Sequence, residues 1–358
     1  MYGLSIIKIL MLSKNKLFIL ILNLLVGLSI YAQNSLPIIR LNGYFGYDYQ
    51  DATVSLYMPD GTSIENMTGK IKWRGGTTNT VGKHKHNYII KFNEDLQFFN
   101  MRKDNNWILD AGQTDLFRLR NRIATEIWNT IAHQPYYADR EPNVLTGVRG
   151  QIVEVYLNDE YRGIYCLTEC MDRKQLKLKK YKKLTPAVWD LDATVGAKWL
   201  GDWAVPDYDM NINHNLIVRL KELNVDDFNE KVFARYYELR NHQLSTDNLI
   251  KLYQNYYNLI KLSGAAEREE KMWSKDTDVN GEEINFEKEI DYITNWIIQH
   301  MQYLDYEVFA SNNNSIDGIT INKPKDNILY NINGQRINKT LFIKKGILIK
   351  ERKKYIAK

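Results

Sequence analysis

The stretch "GQIVEVYLNDEYRGIYCLTE", residues 150–169, gives the clearest signal of backbone structure in the chain. Two runs rich in β-branched and aromatic residues flank the polar turn "NDE", a pattern that predicts a β-hairpin. The two cysteines of the chain, Cys166 and Cys170, fall on or just after its second strand. Four residues apart on one strand, their Cα atoms would be about 13 Å apart, too far for a disulfide bond. We therefore predict a hairpin with two free thiols.

The residues that precede this hairpin are predicted to form strands followed by one helix. "TVSLYMPDG", "MTGKIKWRGG" and "NYIIKF" are β-rich or alternating segments within residues 36–110. Residues 114–133 then show helical spacing, with Thr114 as the expected cap. The apolar stripe of this helix consists of Leu116, Leu119, Ile123, Ile127 and Ile131.

The residues that follow the hairpin change from basic to helical character. Residues 172–183 predict a basic helix that leads into "LTPAVWDLD", which we interpret as a buried strand ending at two aspartates. Beyond residue 210, apolar residues recur at helical spacing. Residues 308–325 are rich in Asn and contain Gly and Pro, which predicts a linker. Residues 326–358 predict a small tail of short β-strands.

The N-terminus resembles a targeting segment. Lys8, Lys14 and Lys16 precede the apolar run 17–30, and the small residue Ala32 follows. This pattern predicts a secretory signal peptide over residues 1–32, and therefore a secreted, cell-surface or periplasmic protein. The apolar run is shorter than the ~20 residues of a membrane-spanning helix, so no stable span is expected after cleavage. An uncleaved anchor is the alternative.

The composition allows a large folded core, because 44% of the 358 residues are hydrophobic. The net charge is +5, but the signal region contributes +3 and residues 341–358 contribute +6. The remainder, residues 33–340, therefore carries about −4. An acidic body gives no global electrostatic argument for binding nucleic acid.

A pair of glycines and two lysines form the first candidate site. Gly75 and Gly76 follow a predicted strand, and Lys85 and Lys91 lie on or near the next one. Such a loop can direct backbone N–H groups at a phosphate, and a strand lysine can reach phosphate oxygens. The alternative is an ordinary hairpin turn with surface lysines. Glu126, inside the predicted helix, could pair with one of these lysines or simply be exposed.

Two aspartates form the second candidate site. At strand spacing, Asp190 and Asp192 would point to the same face and repel each other, and a divalent cation would relieve that repulsion. Mg²⁺ binds one or two carboxylates together with phosphate oxygens, which suits a nucleotide site. The alternative is an acidic turn in which Gly196 reverses the chain. The six histidines are scattered and predict no histidine-based metal site.

Several of these segments together resemble the CotH (spore coat protein H) kinase family, over about residues 65–307. The similarity is carried by "GKIKWRGGTTNT", "KHNYIIKF", "NWILDAGQTDLFRLRNRIATEIW", "VEVYLNDEYRGIYCLTECMDR" and "VWDLDATVG", in the family's order. The helical end, residues 215–297, resembles members from Bacteroidetes. The tail after residue 325 is similar to sorting signals of secreted proteins from that phylum.

The resemblance implies an α+β, atypical protein-kinase-like fold with a β-rich N-terminal lobe and a helical C-terminal lobe. It also implies ATP and Mg²⁺ as cofactors and transfer of phosphate to Ser or Thr of a protein substrate. By position, Gly75 and Gly76 would cover the phosphates, Lys85 or Lys91 would contact them, and Asp190 and Asp192 would hold the metal.

One departure from the family pattern bears on activity. The family usually has a long segment between the "E-x-x-D-R" end of the hairpin and "W-D-x-D", and that segment supplies the catalytic base. Here only residues 174–188 separate the two motifs, so an internal deletion is expected. The protein is then a kinase with weak or no transfer, or alternatively a surface scaffold that uses the same fold for binding.

Overall fold

A computed structural model describes most of the chain between residues 35 and 310 and parts of the C-terminal tail. The predicted signal peptide and most of the predicted linker lie outside the described residues. The described residues are 35–76, 84–135, 137–140, 144–172, 175, 188, 190–197, 206, 215–275, 283–310, 329–331, 336–337, 346–350 and 353–357.

Seven strands form a closed barrel in the order β1-β2-β3-β4-β5-β7-β6. Neighbouring strands are antiparallel except at the seam, where β1 runs parallel to β6, with Ile38 opposite Glu154 and Leu41 opposite Leu157. The predicted hairpin is confirmed as β6 and β7. The strands are β1 (Ile38–Gly43), β2 (Gln50–Tyr57), β3 (Ser63–Arg74), β4 (Asn87–Leu96), β5 (Asp104–Asp110), β6 (Gly150–Leu157) and β7 (Glu160–Glu169).

Alternation along the strands fills the barrel with apolar side chains. Ile71, Ile90 and Trp107 are neighbours across β3, β4 and β5, and each is at most 1% exposed. Because successive strand residues point to opposite faces, the residue next to each of these on its own strand faces outward. Lys91, next to Ile90 on β4, is such a residue and is exposed. Cys166 and Cys170 are buried and free, so the prediction of free thiols is confirmed.

Six α-helices occur among the described residues, and the first starts later than predicted. It begins at Arg120, not at Thr114, and Leu119 is its N-cap residue. Asp115 organises the preceding turn, because its carboxylate accepts hydrogen bonds from the backbone N–H groups of Phe117 and Arg120. The helices are α1 (Arg120–Ile131), α2 (Asn215–Leu223), α3 (Phe228–Arg240), α4 (Thr246–Leu262), α5 (Ala265–Met272) and α6 (Phe286–Tyr303).

The chain divides into two compact units. The first comprises residues 1–199 and 252–286, and it contains the barrel, α1 and α5. The second comprises residues 200–251 and 287–358. Within the second unit, Asp305 accepts hydrogen bonds from Tyr236 and Arg240, and the Tyr236 ring stacks on Phe309 with centroids 3.8 Å apart.

The tail contributes four short strands to a separate sheet in the order β11-β10-β8-β9. The described residues form both helices and strands, so the prediction of a protein with both kinds of element is confirmed. In the part of the chain that the structure covers, no helix combines the length and the hydrophobicity needed to cross a membrane. The tail strands are β8 (Leu329–Asn331), β9 (Arg336–Ile337), β10 (Gly346–Lys350) and β11 (Lys353–Ala357).

Candidate functional site

A buried carboxylate, Glu269, connects helix α5 to the barrel. Its Oε1 accepts hydrogen bonds from Lys85 Nζ at 2.6 Å and from Arg118 Nε at 2.8 Å. Its Oε2 accepts a hydrogen bond from the backbone N–H of Ile164 at 2.7 Å. The side chains of Lys85 and Glu269 are both 0% exposed. We call Glu269, Lys85 and Arg118 the Glu269 cluster.

The local sequence explains how a glutamate comes to lie against a strand. One face of α5 is buried, from its first residue to its C-cap residue. This face consists of Ala265, Ala266, Glu269 and Trp273. The small alanines let this face approach β7. On the strand side, Gly163 has a φ of +94°, and a Cβ atom there would lie 1.9 Å from Glu269 Oε2. Glycine is therefore needed in the hairpin for the carboxylate to reach the Ile164 amide.

The electrostatics of the Glu269 cluster are those of an ion pair removed from water. Burial lowers the pKa of the Lys85 amine to about 7, while the nearby carboxylate of Glu269 acts in the opposite direction. Lys85 Nζ also donates a hydrogen bond to the backbone oxygen of Ile164 at 2.6 Å. Removing one partner of such a buried pair leaves the other charge uncompensated, so the cluster stabilises the barrel only as a complete set.

The two lysines considered for phosphate contact lie in different environments. Lys85 is inside the Glu269 cluster, just before β4 begins. Lys91 is on the outer face of β4, paired across the sheet with Lys70 and Asn106. The structure therefore brings Lys85, and not Lys91, into the network of buried polar groups.

The glycine pair lies at an exposed position after β3. Gly75 has a φ of +119°, in the range that favours glycine, and a Cβ atom added to Gly76 would meet nothing within 4 Å. Arg74 pairs with Asn87, so the ends of β3 and β4 that flank the glycine loop are neighbours. The segment 77–83 lies outside the described residues. The described part of the loop thus offers open backbone at the same end of β4 as Lys85.

The two aspartates do not lie on a strand, which corrects the sequence interpretation. Asp190 is exposed, has a φ of +63° and precedes a single 3-10 turn, Leu191–Ala193. Asp192 is inside that turn and half-buried, and its Oδ2 accepts a hydrogen bond from the Thr114 hydroxyl at 2.9 Å. The structure therefore has the alternative, an acidic turn. The strand expected at the end of "LTPAVWDLD" does not occur at residues 190–193.

The environment of Asp192 disfavours its negative charge. Burial raises the pKa of Asp192, and the carboxylates of Asp190, Asp115 and Asp110 raise it further. The hydrogen bond from Thr114 acts in the opposite direction. A cation at this position would therefore be stabilised by several nearby carboxylates.

Asp110 lies between the acidic turn and the Glu269 cluster. It ends β5, and its Oδ2 accepts a hydrogen bond from Asn121 Nδ2 at 2.8 Å. Asn121 Oδ1 in turn accepts a hydrogen bond from the backbone N–H of Leu191 at 3.3 Å. The charge of Asp110 affects the pKa of both Lys85 and Asp192. The lysine and the acidic turn thus belong to one polar region of the first unit.

Glu126 lies elsewhere. It is half-buried on α1 and accepts a hydrogen bond from the Tyr256 hydroxyl, and the partner of Lys85 is Glu269. Sequence reasoning missed Glu269, Arg118 and Asp110. The signal for Glu269 was present in "AAEREEKMW", where the alanines and the tryptophan mark a buried helix face that also contains one of the glutamates.

A second set of ion pairs holds the end of the hairpin. Glu169 is buried and accepts hydrogen bonds from the backbone N–H groups of Arg102 and Arg149, at 2.6 and 2.8 Å. The guanidinium of Arg102 contacts Asp172 at 3.3 Å and Asp104 at 2.9 Å. Both acids of "ECMD" are therefore engaged in structural contacts, and Asp172 is bound to an arginine.

The described residues include no group of three or more His, Cys, Asp or Glu side chains arranged to hold a metal. Mg²⁺ does not require such a group, because it is commonly held by one or two carboxylates together with phosphate oxygens and water. Asp192 and Asp190 can provide that smaller set.

Comparison with protein-family models identifies a family for this chain. A protein-family model described as CotH kinase protein matches residues 71–185 and 178–304. The matched region includes the glycine loop, the Glu269 cluster and the acidic turn. No curated protein matches the chain.

Proposed function

Because the chain belongs to the CotH kinase family, we propose that it binds ATP with a divalent cation in an atypical, two-lobed kinase-like fold. In this proposal the barrel is the β-rich lobe, and the nucleotide lies near the glycine loop and the acidic turn. The reaction type is transfer of the terminal phosphate to Ser or Thr of a protein, at a rate reduced by the loss of the catalytic base.

The observation that supports this function best is the buried pairing of Lys85 with Glu269 at the end of β4 that also adjoins the exposed Gly75 and Gly76. Kinases need a lysine held by a glutamate close to the phosphates, because positioning and charge stabilisation provide most of the rate enhancement of phosphoryl transfer. In this chain the glutamate comes from α5 instead of α1. Lys85 uses Nζ to bind Glu269 and Ile164, so its role here is to position the loop that precedes β4.

The residues of the acidic turn fit a divalent cation. Burial and the neighbouring carboxylates raise the pKa of Asp192, and a bound cation would lower this pKa again. Asp192 and Asp190 would hold Mg²⁺, and the ion would offset negative charge on the phosphates. Thr114 orients Asp192 by hydrogen bonding, and Asn121 holds the backbone of the turn through Leu191.

The proposed loss of transfer activity rests on the short connection between the hairpin and the acidic turn. The family model matches the chain in two segments that overlap at residues 178–185, which is where the proposed deletion would lie. Asp172, the acid nearest to the break, is bound to Arg102. A substrate hydroxyl would then have no oriented base from this segment, although nucleotide binding does not need one. Export by the N-terminal signal, with sorting by the tail, completes the proposal.

Titration calorimetry of the full chain with ATP and MgCl₂ tests nucleotide binding. We expect saturable binding that Asp192→Asn weakens by about tenfold or more, because one metal ligand loses its charge. Asp226→Asn is the matched control, since Asp226 is an exposed acid paired with Lys231. Absence of binding by the wild type, with or without Mg²⁺, would show that the proposal is wrong. Radiolabelled phosphate transfer to casein measures the remaining activity, which we expect to be weak or absent.

A surface-binding role is the second candidate, and one specific feature favours it. The connection between β1 and β2 exposes three tyrosines, Tyr44 at 74%, Tyr47 at 50% and Tyr49 at 38%. Tyrosines combine an apolar ring with a hydroxyl and suit binding of glycans or proteins. Glycan binding that is lost in Tyr44→Ser and is independent of nucleotide would favour this role over the kinase-type function.

A further inference from the structure

The loop between β5 and α1, residues 112–118, contacts both the Glu269 cluster and the acidic turn. Its two ends meet, because a Cβ atom added to Gly112 would lie 2.6 Å from the backbone oxygen of Arg118. Gly112 has a φ of +53°, and Arg118 has a φ of +61°. An arginine with this left-handed backbone is strained and persists only where its surroundings hold it in place. The conformation of the loop therefore depends on the contacts of Arg118.

The guanidinium of Arg118 binds the backbone of the loop to which it belongs. Its Nη1 donates hydrogen bonds to the backbone oxygens of Gly112 at 2.9 Å and Gln113 at 2.5 Å, and a longer one to that of Asp115 at 3.4 Å. Its Nε donates to Glu269 at 2.8 Å, and the side chain is only 2% exposed. A guanidinium presents its N–H donors in one rigid plane. A single side chain thus holds both the carboxylate of α5 and the loop.

Thr114 places the same loop in contact with the acidic turn. Its hydroxyl donates a hydrogen bond to Asp192 Oδ2 at 2.9 Å. Two of the backbone oxygens that Arg118 binds belong to the neighbours of Thr114 in the chain, Gln113 and Asp115. One guanidinium therefore fixes the backbone on both sides of the residue that orients Asp192.

We propose that Arg118 is a positioning residue for the divalent cation of the acidic turn, an inference that rests on the proposed function. Arg118 holds the loop so that Thr114 orients Asp192 toward the cation. Hydrogen-bond partners of a metal-binding carboxylate contribute to metal affinity, because they fix its orientation. Lys85, the other cation of the Glu269 cluster, uses Nζ for Glu269 and for a backbone oxygen of β7. The link from the cluster to the acidic turn thus runs through Arg118.

The test measures the affinity of the full chain for Mn²⁺ by water-proton relaxation, with MnCl₂ as the probe, alone and with ATP. Asp192→Asn identifies the part of the signal that comes from the acidic turn. We expect Thr114→Val to weaken Mn²⁺ binding by about tenfold, and Arg118→Lys by about threefold to tenfold, because its effect passes through Thr114. Lysine keeps the positive charge beside Glu269, but its single nitrogen cannot replace both Nε and Nη1 of the arginine.

A second variant and a matched control separate positioning from stability. Arg118→Gln leaves Glu269 paired with Lys85, and it should weaken Mn²⁺ binding to a similar degree. Arg268→Lys is the control, because Arg268 also joins a carboxylate, that of Glu154, to a backbone oxygen. We expect this control to bind Mn²⁺ as the wild type does. All affinities are measured well below the melting temperatures, where a merely structural role lowers stability without changing the affinity of the folded protein.

The double variant shows whether Arg118 acts through Thr114. Adding Arg118→Lys to Thr114→Val should weaken Mn²⁺ binding by less than about twofold further, because the hydrogen bond to Asp192 is already lost. Effects of the two substitutions that multiply would overturn this route.

The outcomes separate this inference from the function on which it rests. Mn²⁺ binding that depends on Asp192 but is unchanged in both Arg118 variants overturns the positioning role and leaves the cation site intact. Weakened binding in both variants, with Arg268→Lys unchanged, supports the role. Absence of Mn²⁺ binding by the wild type, with or without ATP, or binding that Asp192→Asn does not change, overturns the cation site and the positioning role together.

Discussion

The Glu269 cluster and the acidic turn hold charged side chains in opposite ways. In the cluster, Glu269 is 0% exposed and receives three hydrogen bonds, two of them from the cations Lys85 and Arg118. In the turn, Asp192 is half-buried, receives one side-chain hydrogen bond and is surrounded by like charge. The charges of the cluster are satisfied by the protein itself. Those of the turn are not, and this is where a ligand has the most to contribute.

The largest expected effect comes from removing the carboxylate of the cluster. Glu269→Ala leaves Lys85 and Arg118 buried with no acidic partner, so we expect the free energy of unfolding to fall by about 3–5 kcal/mol. Urea denaturation measures it. Glu267→Ala, an exposed position on the same helix, is the control and should be nearly neutral. Equal stability of the two variants would contradict the view that the cluster holds α5 on the barrel.

The next effect comes from adding one methyl group on the strand side of the cluster. In Gly163→Ala the new Cβ atom would meet Glu269 Oε2, and we expect a loss of roughly 2–3 kcal/mol from this collision and from the positive φ together. Gly61→Ala separates the two causes, because Gly61 has a φ of +87° but nothing within 4 Å of an added Cβ atom. Gly61→Ala should lower the free energy of unfolding by about 1 kcal/mol. Similar values for both variants in thermal unfolding would mean that the carboxylate moves aside at little cost.

A smaller effect is expected on the acidic side. Thr114→Val removes the hydrogen bond to Asp192, and we expect a loss of about 1 kcal/mol. Thr62→Val removes a similar bond, from the Thr62 hydroxyl to Asp60 at 2.7 Å, at an exposed turn. That control should lose only a few tenths of a kcal/mol, as expected for exposed groups. If Thr62→Val lost more unfolding free energy than Thr114→Val, Asp192 would depend less on Thr114 than the geometry indicates.

The smallest effect concerns the pH dependence of stability through Asp192. The pKa of Asp192 is raised in the folded state, so above about pH 4 this carboxyl group holds its proton more often in the folded protein than in the unfolded chain. The free energy of unfolding therefore falls as the pH rises from about 4 through the folded-state pKa. Asp192→Asn should remove this fall and stabilise the protein at pH 7 in EDTA by at most about 0.5 kcal/mol, because Asp192 is partly solvated. Melting curves from pH 4 to pH 7 measure it. A variant that melts lower than the wild type at pH 7 would contradict the prediction.

The local elements of the fold could be predicted, whereas the pairings between distant elements could not. The hairpin follows from its two β-rich runs around "NDE". Closure of the barrel depends on β1 pairing with β6, more than a hundred residues later, and no local pattern encodes that partner. The predicted start of α1 at Thr114 was wrong because Asp115 stabilises a turn there, and the Thr114 hydroxyl binds Asp192 instead of capping the helix.

The candidate site shows the same division. The glycine loop and the two aspartates were visible in the sequence because they form short motifs. Glu269 was not, because one buried glutamate among the charged residues of "EREEK" differs from its neighbours only by the helix face it occupies. The strand interpretation of Asp190 and Asp192 was wrong because alternation along "WDLD" is also compatible with a 3-10 turn, in which the two carboxylates differ in burial.

The parallel seam of the barrel has a consequence for the order in which this chain folds. At one end of the seam, Asn158 joins the end of β6 to the end of β1 through two hydrogen bonds with Gly43, and Arg40 pairs with Asp159. None of these contacts can form until the hairpin has been synthesised, so β1, which pairs with β2 on one edge, gains its second partner late. In pulsed hydrogen exchange during refolding, we expect the β1 amides on the β6 side to gain protection after those of β3 and β4. A barrel that closes through two strands so far apart in the sequence stays open longer while the chain folds.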